Sequence, residues 1–188
     1  YQSLAWRSNG LDTPADLVKN SGQENVYAYR FDWDEEPKVL GMDFSLLLGA
    51  AHAFEIPFIM GDFDFGDQTS FLYDKKKTQE RDRLSSSMMS YWAEFARSGN
   101  PSTSNNSNLP KWTSWKSGGL DSFRIMILDT LSSGGPKMDK SYVPISNLVS
   151  IFNEDIRSNE VDDKCEFLNI AYSWVDNWKL KNNSCLGD

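Results

Sequence analysis

The chain has 188 residues, of which 39% are hydrophobic and 13% aromatic, a composition typical of a folded domain rather than a disordered segment. Its 19 basic and 27 acidic residues give a net charge of −8, which argues against nucleic acid or an anionic membrane surface as the main partner. No apolar run approaches the roughly 18 residues of a membrane-spanning helix, so no membrane span is expected. The length predicts a single domain segment over residues 1–188.

The first predicted elements are a short helix and a strand. Thr13 and Pro14 resemble an N-cap and a first helical residue, and Gly22 is placed to end the helix. Residues 26–33 show the best strand pattern, since the first half is apolar at every position, as in a strand covered on both faces. The pattern predicts a central strand of an α/β sheet, and such sheets carry their chemistry in the loop that follows, here acidic at residues 32–36.

The only histidine of the chain, His52, lies between small residues and an apolar run, residues 56–60, that predicts a short helix or turn with its apolar side buried. A neutral histidine is the usual base that activates a hydroxyl or thiol near neutral pH, so His52 is a candidate general base. Spacing alone favours a structural role for such a residue. A metal site is not expected because the chain has no second histidine, and nothing in the sequence indicates a cofactor.

The clearest helix pattern covers residues 77–98. Its apolar stripe, with spacings of four, four and three, consists of Leu84, Met88, Trp92 and Phe95. Gly99 and the proline soon after it supply the stop signals. A second strand is predicted for the largely apolar residues 123–128.

Two further helical patterns follow. The first apolar face consists of Ile145, Leu148, Val149, Phe152 and Ile156. The second consists of Phe167, Ile170, Ala171, Trp174 and Trp178, and its candidate start is Asp162 and Asp163. Only two convincing strands are predicted in the chain, and a two-stranded sheet does not cover a buried central strand. The sheet is therefore expected to need strands that this chain does not supply.

A base needs a nucleophile, and the sequence offers no clear one. Serines are plentiful, including Ser45, Ser70, Ser85, Ser86 and Ser87. None of them lies in a Gly-x-Ser-x-Gly elbow between a strand and a helix. Cys165 and Cys185 lack a supporting pattern for catalysis. They can form a disulfide only if the chain turns back between them, which Asn182 and Asn183 would permit.

Several segments together carry a resemblance to a known family: VYAYRFDW at residues 26–33, GAAHAFEIPF at residues 49–58 followed by Gly61, and MSYWAEFARSGNP at residues 89–101. LPKWT at residues 109–113 and FRIMILD at residues 123–129 add to it. In order and spacing, these segments resemble the type B carboxylesterase family, the cholinesterase-like branch of the α/β-hydrolases. The resemblance covers about residues 1–135.

The resemblance implies an α/β fold that is the C-terminal portion of an α/β-hydrolase fold: the last strands of the central sheet plus flanking helices, completed by a missing N-terminal portion or a partner chain. It implies that His52 is the catalytic base and that Glu55 supports the histidine loop without being the triad acid. The family's serine, acid and oxyanion-hole glycines precede the matching region, and none matches a position here. The expected partner is therefore an N-terminal esterase portion that carries the nucleophilic serine and the acid.

The implied function is carboxylic ester hydrolysis by a serine–histidine–acid mechanism, with a small-molecule ester as substrate and no cofactor. Two alternatives remain open. A non-catalytic, neuroligin-like adhesion relative would share the fold but lack the upstream serine. A stand-alone binding or structural domain would fold as a monomer with its own complete sheet. The acidic charge and the possible disulfide favour a secreted or periplasmic localisation.

Overall fold

The computed structural model describes residues 1–102, 108–117 and 121–173. By its internal contacts the chain divides into two compact units. The first consists of Tyr1–Val26 and the described parts of Trp115–Ser122 and Ser141–Asp188. The second consists of Phe123–Lys140 and the described part of Tyr27–Ser114. The single domain segment expected from the sequence stays a prediction.

Short helices dominate both units. The α-helices of the described residues are α1 (Gln2–Arg7), α2 (Thr13–Asn20), α3 (Phe44–Leu47), α4 (Ile56–Met60), α5 (Thr69–Leu72), α6 (Thr78–Ser98), α7 (Leu148–Glu154) and α8 (Lys164–Ala171). The strands of the described residues are β1 (Ala28–Phe31), β2 (Lys38–Val39), β3 (Met42–Asp43), β4 (Ile125–Leu128) and β5 (Lys137–Asp139). Among the described residues, all of these strands belong to the second unit.

The first unit begins with a continuous helical stretch, because one π-helical turn (Ser8–Asp12) joins α1 to α2. The predicted N-cap at Thr13 is wrong, since Asp12 before it is already helical, with φ −65° and ψ −44°. The Asp12 carboxylate is engaged in tertiary contacts instead. It accepts hydrogen bonds from Arg7 Nε at 3.2 Å and from the backbone N–H of Val143 at 2.8 Å.

Helix α7 carries the first apolar face predicted after the strands. The buried members of that face are Ile145, Leu148, Val149 and Phe152, as predicted. Ile156 is 82% exposed, so its assignment to the face is wrong. The cause is a break at Asp155, whose extended backbone (φ −75°, ψ 121°) ends α7 and takes the following residues off the helical period.

Helix α8 starts where the acidic pair predicted it. Asp163 is the N-cap, and its side chain accepts a hydrogen bond from the backbone N–H of Glu166 at 2.8 Å. Ala171 is buried, but Ile170 is 65% exposed and does not belong to the buried face.

Three residues of these predictions, Trp174, Trp178 and Cys185, lie outside the described part of the chain. The continuation of the α8 face at the two tryptophans therefore stays a prediction. The same holds for the disulfide between Cys165 and Cys185. Cys165 itself lies in the first turn of α8.

The main sheet of the second unit has the spatial order β1-β4-β5. β1 and β4 are parallel, with Ala28 opposite Ile125, whereas β5 is antiparallel to β4. All residues of β4 are buried, which confirms the strand predicted for residues 123–128. The sequence pattern does not predict β5, because it has only three residues and both Lys137 and Asp139 are charged, as is common in edge strands.

Strand β1 was expected at the centre of a sheet, but among the described residues it pairs only with β4. Its burial also differs from the expectation of two covered faces, since Ala28 is buried whereas Arg30 is exposed. Within the described residues β1 is thus an edge strand. The additional strands that the sequence was expected to require stay a prediction.

Helix α6 packs against α4 and forms one wall of the second unit's core. Its bounds confirm the helix predicted for residues 77–98, and it ends at Gly99, whose φ of 72° is left-handed. Leu84 and Met88 of the predicted stripe are buried, whereas Phe95 at the C-terminal end is 43% exposed. The buried hydroxyl of Ser85 donates a hydrogen bond to the carbonyl of Phe58 at 2.8 Å and ties α6 to α4.

Candidate active site

His52 lies in an excursion of the chain that leaves the sheet after β1 and returns at α4. We call residues 37–57 the histidine excursion; they comprise β2, β3, α3 and the turn that contains His52. The two ends of the excursion meet in the core of the second unit. Trp33, before the excursion, and Phe58, after it, pack with ring centroids 5.0 Å apart. Both side chains are at most 1% exposed, so the base of the excursion is firmly packed.

The first part of the excursion is a minimal hairpin. Leu40 and Gly41 connect β2 to β3, and both have positive φ values, 51° and 81°, as in the turns that favour tight hairpins. Asp43 then caps α3, accepting hydrogen bonds from the backbone N–H of Ser45 at 3.2 Å and from its hydroxyl at 2.7 Å. Hydrogen bonds from Lys38 and Ser45 lower the pKa of Asp43 to about 2, so this cap is ionised at neutral pH.

The turn around His52 is tightly wound. The backbone N–H of Ala51 donates to the carbonyl of Gly49 at 2.7 Å, and that of Phe54 donates to the carbonyl of Ala51 at 3.1 Å. Ala53 has a φ of 70°, a left-handed conformation that L-residues rarely adopt. Backbone strain of this kind persists only where the surrounding structure holds it in place. His52 itself is exposed, so its imidazole is accessible while its backbone is fixed.

Glu55, three residues after His52, connects this turn to the sheet. It is half-buried and accepts a hydrogen bond from the hydroxyl of Tyr29 on β1 at 3.4 Å. Burial and the charge of Glu55 raise the pKa of Tyr29 to about 12, so the tyrosine keeps the proton that it donates. The contact fits the supporting role expected for Glu55.

Four of the serines considered as nucleophiles have described side chains, and their hydroxyls all donate within their own surroundings. Ser45 donates to Asp43 and Ser85 to the carbonyl of Phe58. Ser86 and Ser87 donate to carbonyls one turn earlier in α6, at 2.8 and 3.0 Å. None of these hydrogen bonds joins a serine to His52.

A half-buried acid that the sequence analysis did not single out, Asp129, directly follows β4. Burial raises its pKa, and so do the charges of Asp32 and Asp34, while the backbone N–H of Thr130 partly offsets this effect. Parallel strands end at the same edge of a sheet, which brings acids after β1 and β4 together. The available signal was an aspartate immediately after an apolar strand.

The described residues contain neither a metal-binding group of side chains nor a helix that could cross a membrane. Within residues 1–102, 108–117 and 121–173, no group of three or more histidine, cysteine, aspartate or glutamate side chains is arranged to hold a metal ion. In the same ranges, no helix combines the length and the apolar composition needed to cross a membrane.

The mixed sheet and its packed helices are compatible with the fold class that the sequence resemblance implied. A sequence profile of the carboxylesterase family matches residues 8–130, well over half of the chain. The chain belongs to the carboxylesterase family. Its mixed helix and sheet structure covers a partial region of the α/β-hydrolase fold, as predicted.

Individual relatives are similar over part of this chain. An acylcarnitine hydrolase of Mus musculus is 46% identical over 99 residues, and one of Rattus norvegicus is 34% identical over the same length; each match covers 53% of this chain. The chain spans only 16% of the length of these two relatives. A solved PNB esterase structure is 30% identical and has a TM-score of 0.42, covering 61% of this chain and 19% of that one.

Proposed function

We propose that this chain supplies the histidine base of a serine carboxylesterase that hydrolyses a small-molecule ester. The observation that supports this most is the setting of His52. Its exposed imidazole projects from a wound turn between the hairpin that follows β1 and the buried start of α4. General-base catalysis requires an accessible side chain on a fixed backbone, and this turn offers both.

In the proposed mechanism, a serine hydroxyl attacks the ester carbonyl while His52 takes its proton. His52 then gives that proton to the leaving alcohol, and an acyl-serine remains. In the second half, His52 takes a proton from a water molecule that attacks the acyl-serine, and it returns that proton to the serine oxygen as the carboxylic acid product is released. Glu55 supports the turn through Tyr29 and is not the acid of the triad.

The serine, the triad acid and the oxyanion donors are proposed to come from an N-terminal esterase portion outside this chain. The length of the relatives supports this, since the chain spans 16% of the first two. The outer edge of β1, which has no strand partner among the described residues, supports it as well. An unpaired strand edge presents a row of backbone N–H and C=O groups that can pair with another strand, so this edge is a suitable place for the remaining sheet.

The substrate and the localisation are proposed at the level of class. Two relatives carry the name acylcarnitine hydrolase, which denotes hydrolytic cleavage of a small molecule and supports a small-molecule ester as substrate. A secreted or periplasmic localisation is proposed on the acidic net charge of −8.

The proposal predicts which part of the full polypeptide reacts with an ester-like inhibitor. A fluorophosphonate probe forms a covalent bond to an activated serine and releases fluoride, and peptide mapping then locates that serine. We expect one labelled serine, N-terminal to the 188 residues of this chain. A labelled serine within this chain would contradict the division of the triad. No labelled serine at all would favour the neuroligin-like alternative.

A further inference from the structure

Glu36 is a buried carboxyl group that the proposed esterase mechanism does not use. The residue is 6% exposed, and neither Oε1 nor Oε2 has a hydrogen-bond partner among the described residues. Buried carboxyl groups in folded proteins are normally paired or hydrogen-bonded, because removing an isolated carboxylate from water is costly. A buried carboxyl group without a partner is therefore either protonated and neutral, or it lowers the stability of the fold.

The charged and titratable groups around Glu36 do not neutralise it. Asp34 and Glu35, on the same loop, are acidic. Burial and the charge of Glu36 raise the pKa of Tyr73, in the segment after α5, to about 12, so this side chain is neutral. The nearby cations are engaged elsewhere: Lys77 forms an ion pair with Glu35 at 2.6 Å, and the Arg81 guanidinium of α6 lies 4.1 Å from the centroid of the Phe63 ring.

The position of Glu36 is at the base of the histidine excursion. Trp33, three residues before it, packs on Phe58 at the far end of the excursion. Pro37, the residue after it, accepts a hydrogen bond from the backbone N–H of Phe44 at 3.3 Å, which joins this loop to α3. Glu36 is thus the last residue before the segment that carries His52.

We propose that Glu36 is a proton-dependent latch: the neutral carboxyl keeps the base of the histidine excursion packed, and its ionisation loosens residues 37–57. This inference concerns the fold around His52 and does not depend on the proposed esterase activity. The physical cause is desolvation, because a buried carboxylate without a hydrogen-bond partner is strongly disfavoured. Loosening the base admits water to the charged group and relieves this cost.

The direction of the pH effect follows from the pKa. Burial, the largest cause, raises the pKa of Glu36 from 4.5 to about 7 together with the charges of Asp34 and Glu35, and the residue's own backbone N–H offsets part of the effect. Between these two values the packed state binds more protons than the opened state. The stability contributed by Glu36 is therefore fully present below pH 4.5, and it is lost as the pH rises through about 7.

Hydrogen exchange in the full polypeptide that contains this chain tests the latch. Amide protection of residues 37–57, normalised to intrinsic exchange rates, is compared at about pH 5.5 and about pH 8 in the wild type and in Glu36→Gln. We expect wild-type protection to fall by about tenfold or more at the higher pH and the glutamine variant to change little. Glu35→Gln, which alters an acid on the same loop that is paired with Lys77, is the matched control and should behave like the wild type.

Equal amide protection of residues 37–57 in the wild type at the two pH values would overturn the proposal. This outcome can be judged from the wild type alone. A parallel fall in the wild type and in Glu36→Gln would overturn it too, because the glutamine side chain cannot ionise. If Glu36→Gln does not fold, Glu36→Met provides an uncharged, apolar side chain of similar length, for which the same pH-independent protection is expected.

Discussion

Replacing His52 with alanine in the full polypeptide is expected to lower kcat/KM for p-nitrophenyl acetate by about a thousandfold or more. Without the imidazole, no group takes the serine proton as attack begins, and none returns it to the leaving alcohol. Because His52 is exposed, the free energy of unfolding should change by less than about 0.5 kcal/mol. Steady-state kinetics and thermal unfolding of the same preparation measure both quantities.

Glu55→Gln is the matched comparison for this variant. The predicted loss of kcat/KM in this variant is smaller, about tenfold, because Glu55 supports the turn through Tyr29 and does not act on the reacting atoms. A loss near ten-thousandfold, as expected on removing a triad acid, would contradict its supporting role. Wild-type turnover in His52→Ala would contradict the assignment of His52 as the base.

Phe58→Ala is expected to lower the free energy of unfolding by about 3–5 kcal/mol, the largest stability effect predicted for this chain. The Phe58 side chain is fully buried, and its ring centroid lies 5.0 Å from each of the rings of Phe31, Trp33 and Phe63. Truncation removes these contacts and leaves a cavity at the base of the histidine excursion. Urea unfolding, with the m-value compared to that of the wild type, gives the change.

Phe65→Ala is the control for Phe58→Ala, since it removes the same atoms from a residue that is 43% exposed. The Phe65 ring lies 6.2 Å from the Tyr73 ring, measured between centroids, so a loss of less than about 1 kcal/mol is expected. Similar losses in the two variants would contradict the view that Phe58 closes the base of the excursion.

Elements with a strong local signal could be predicted from the sequence. Helix α6 has a long apolar stripe and a terminal glycine, and both its bounds and its left-handed cap at Gly99 agree with the prediction. Strand β4 is apolar throughout, and α4 has a proline in its first turn and Gly61 at its end. In these segments, hydrophobic period and cap residues already specify the structure.

Elements that depend on tertiary contacts could not be predicted in the same way. The N-cap prediction at Thr13 failed because the chain is already helical at Asp12, whose carboxylate bonds to Arg7 and Val143. Ile156 matched the α7 period, but the chain leaves the helix at Asp155. Strand β5 is too short and too charged to show a pattern, and only its pairing with β4 defines it.

The candidate site likewise contains one residue with a local sequence signal and one without. His52 stood out because it is the only histidine and lies in a characteristic motif, although its role as the base is still a proposal. Glu36 did not stand out, since an acidic run after a strand is normally a solvated loop. Its burial is a tertiary property of the fold, which no local pattern records.

The central claim is that this chain supplies the base for a serine that lies outside it. The rate of fluorophosphonate labelling in the full polypeptide tests it most directly, because labelling requires the activated serine but not completed ester turnover. In His52→Ala we predict that the same upstream serine is labelled at least about a hundredfold more slowly than in the wild type. Labelling at the wild-type rate would show that His52 does not activate that serine and would contradict the account.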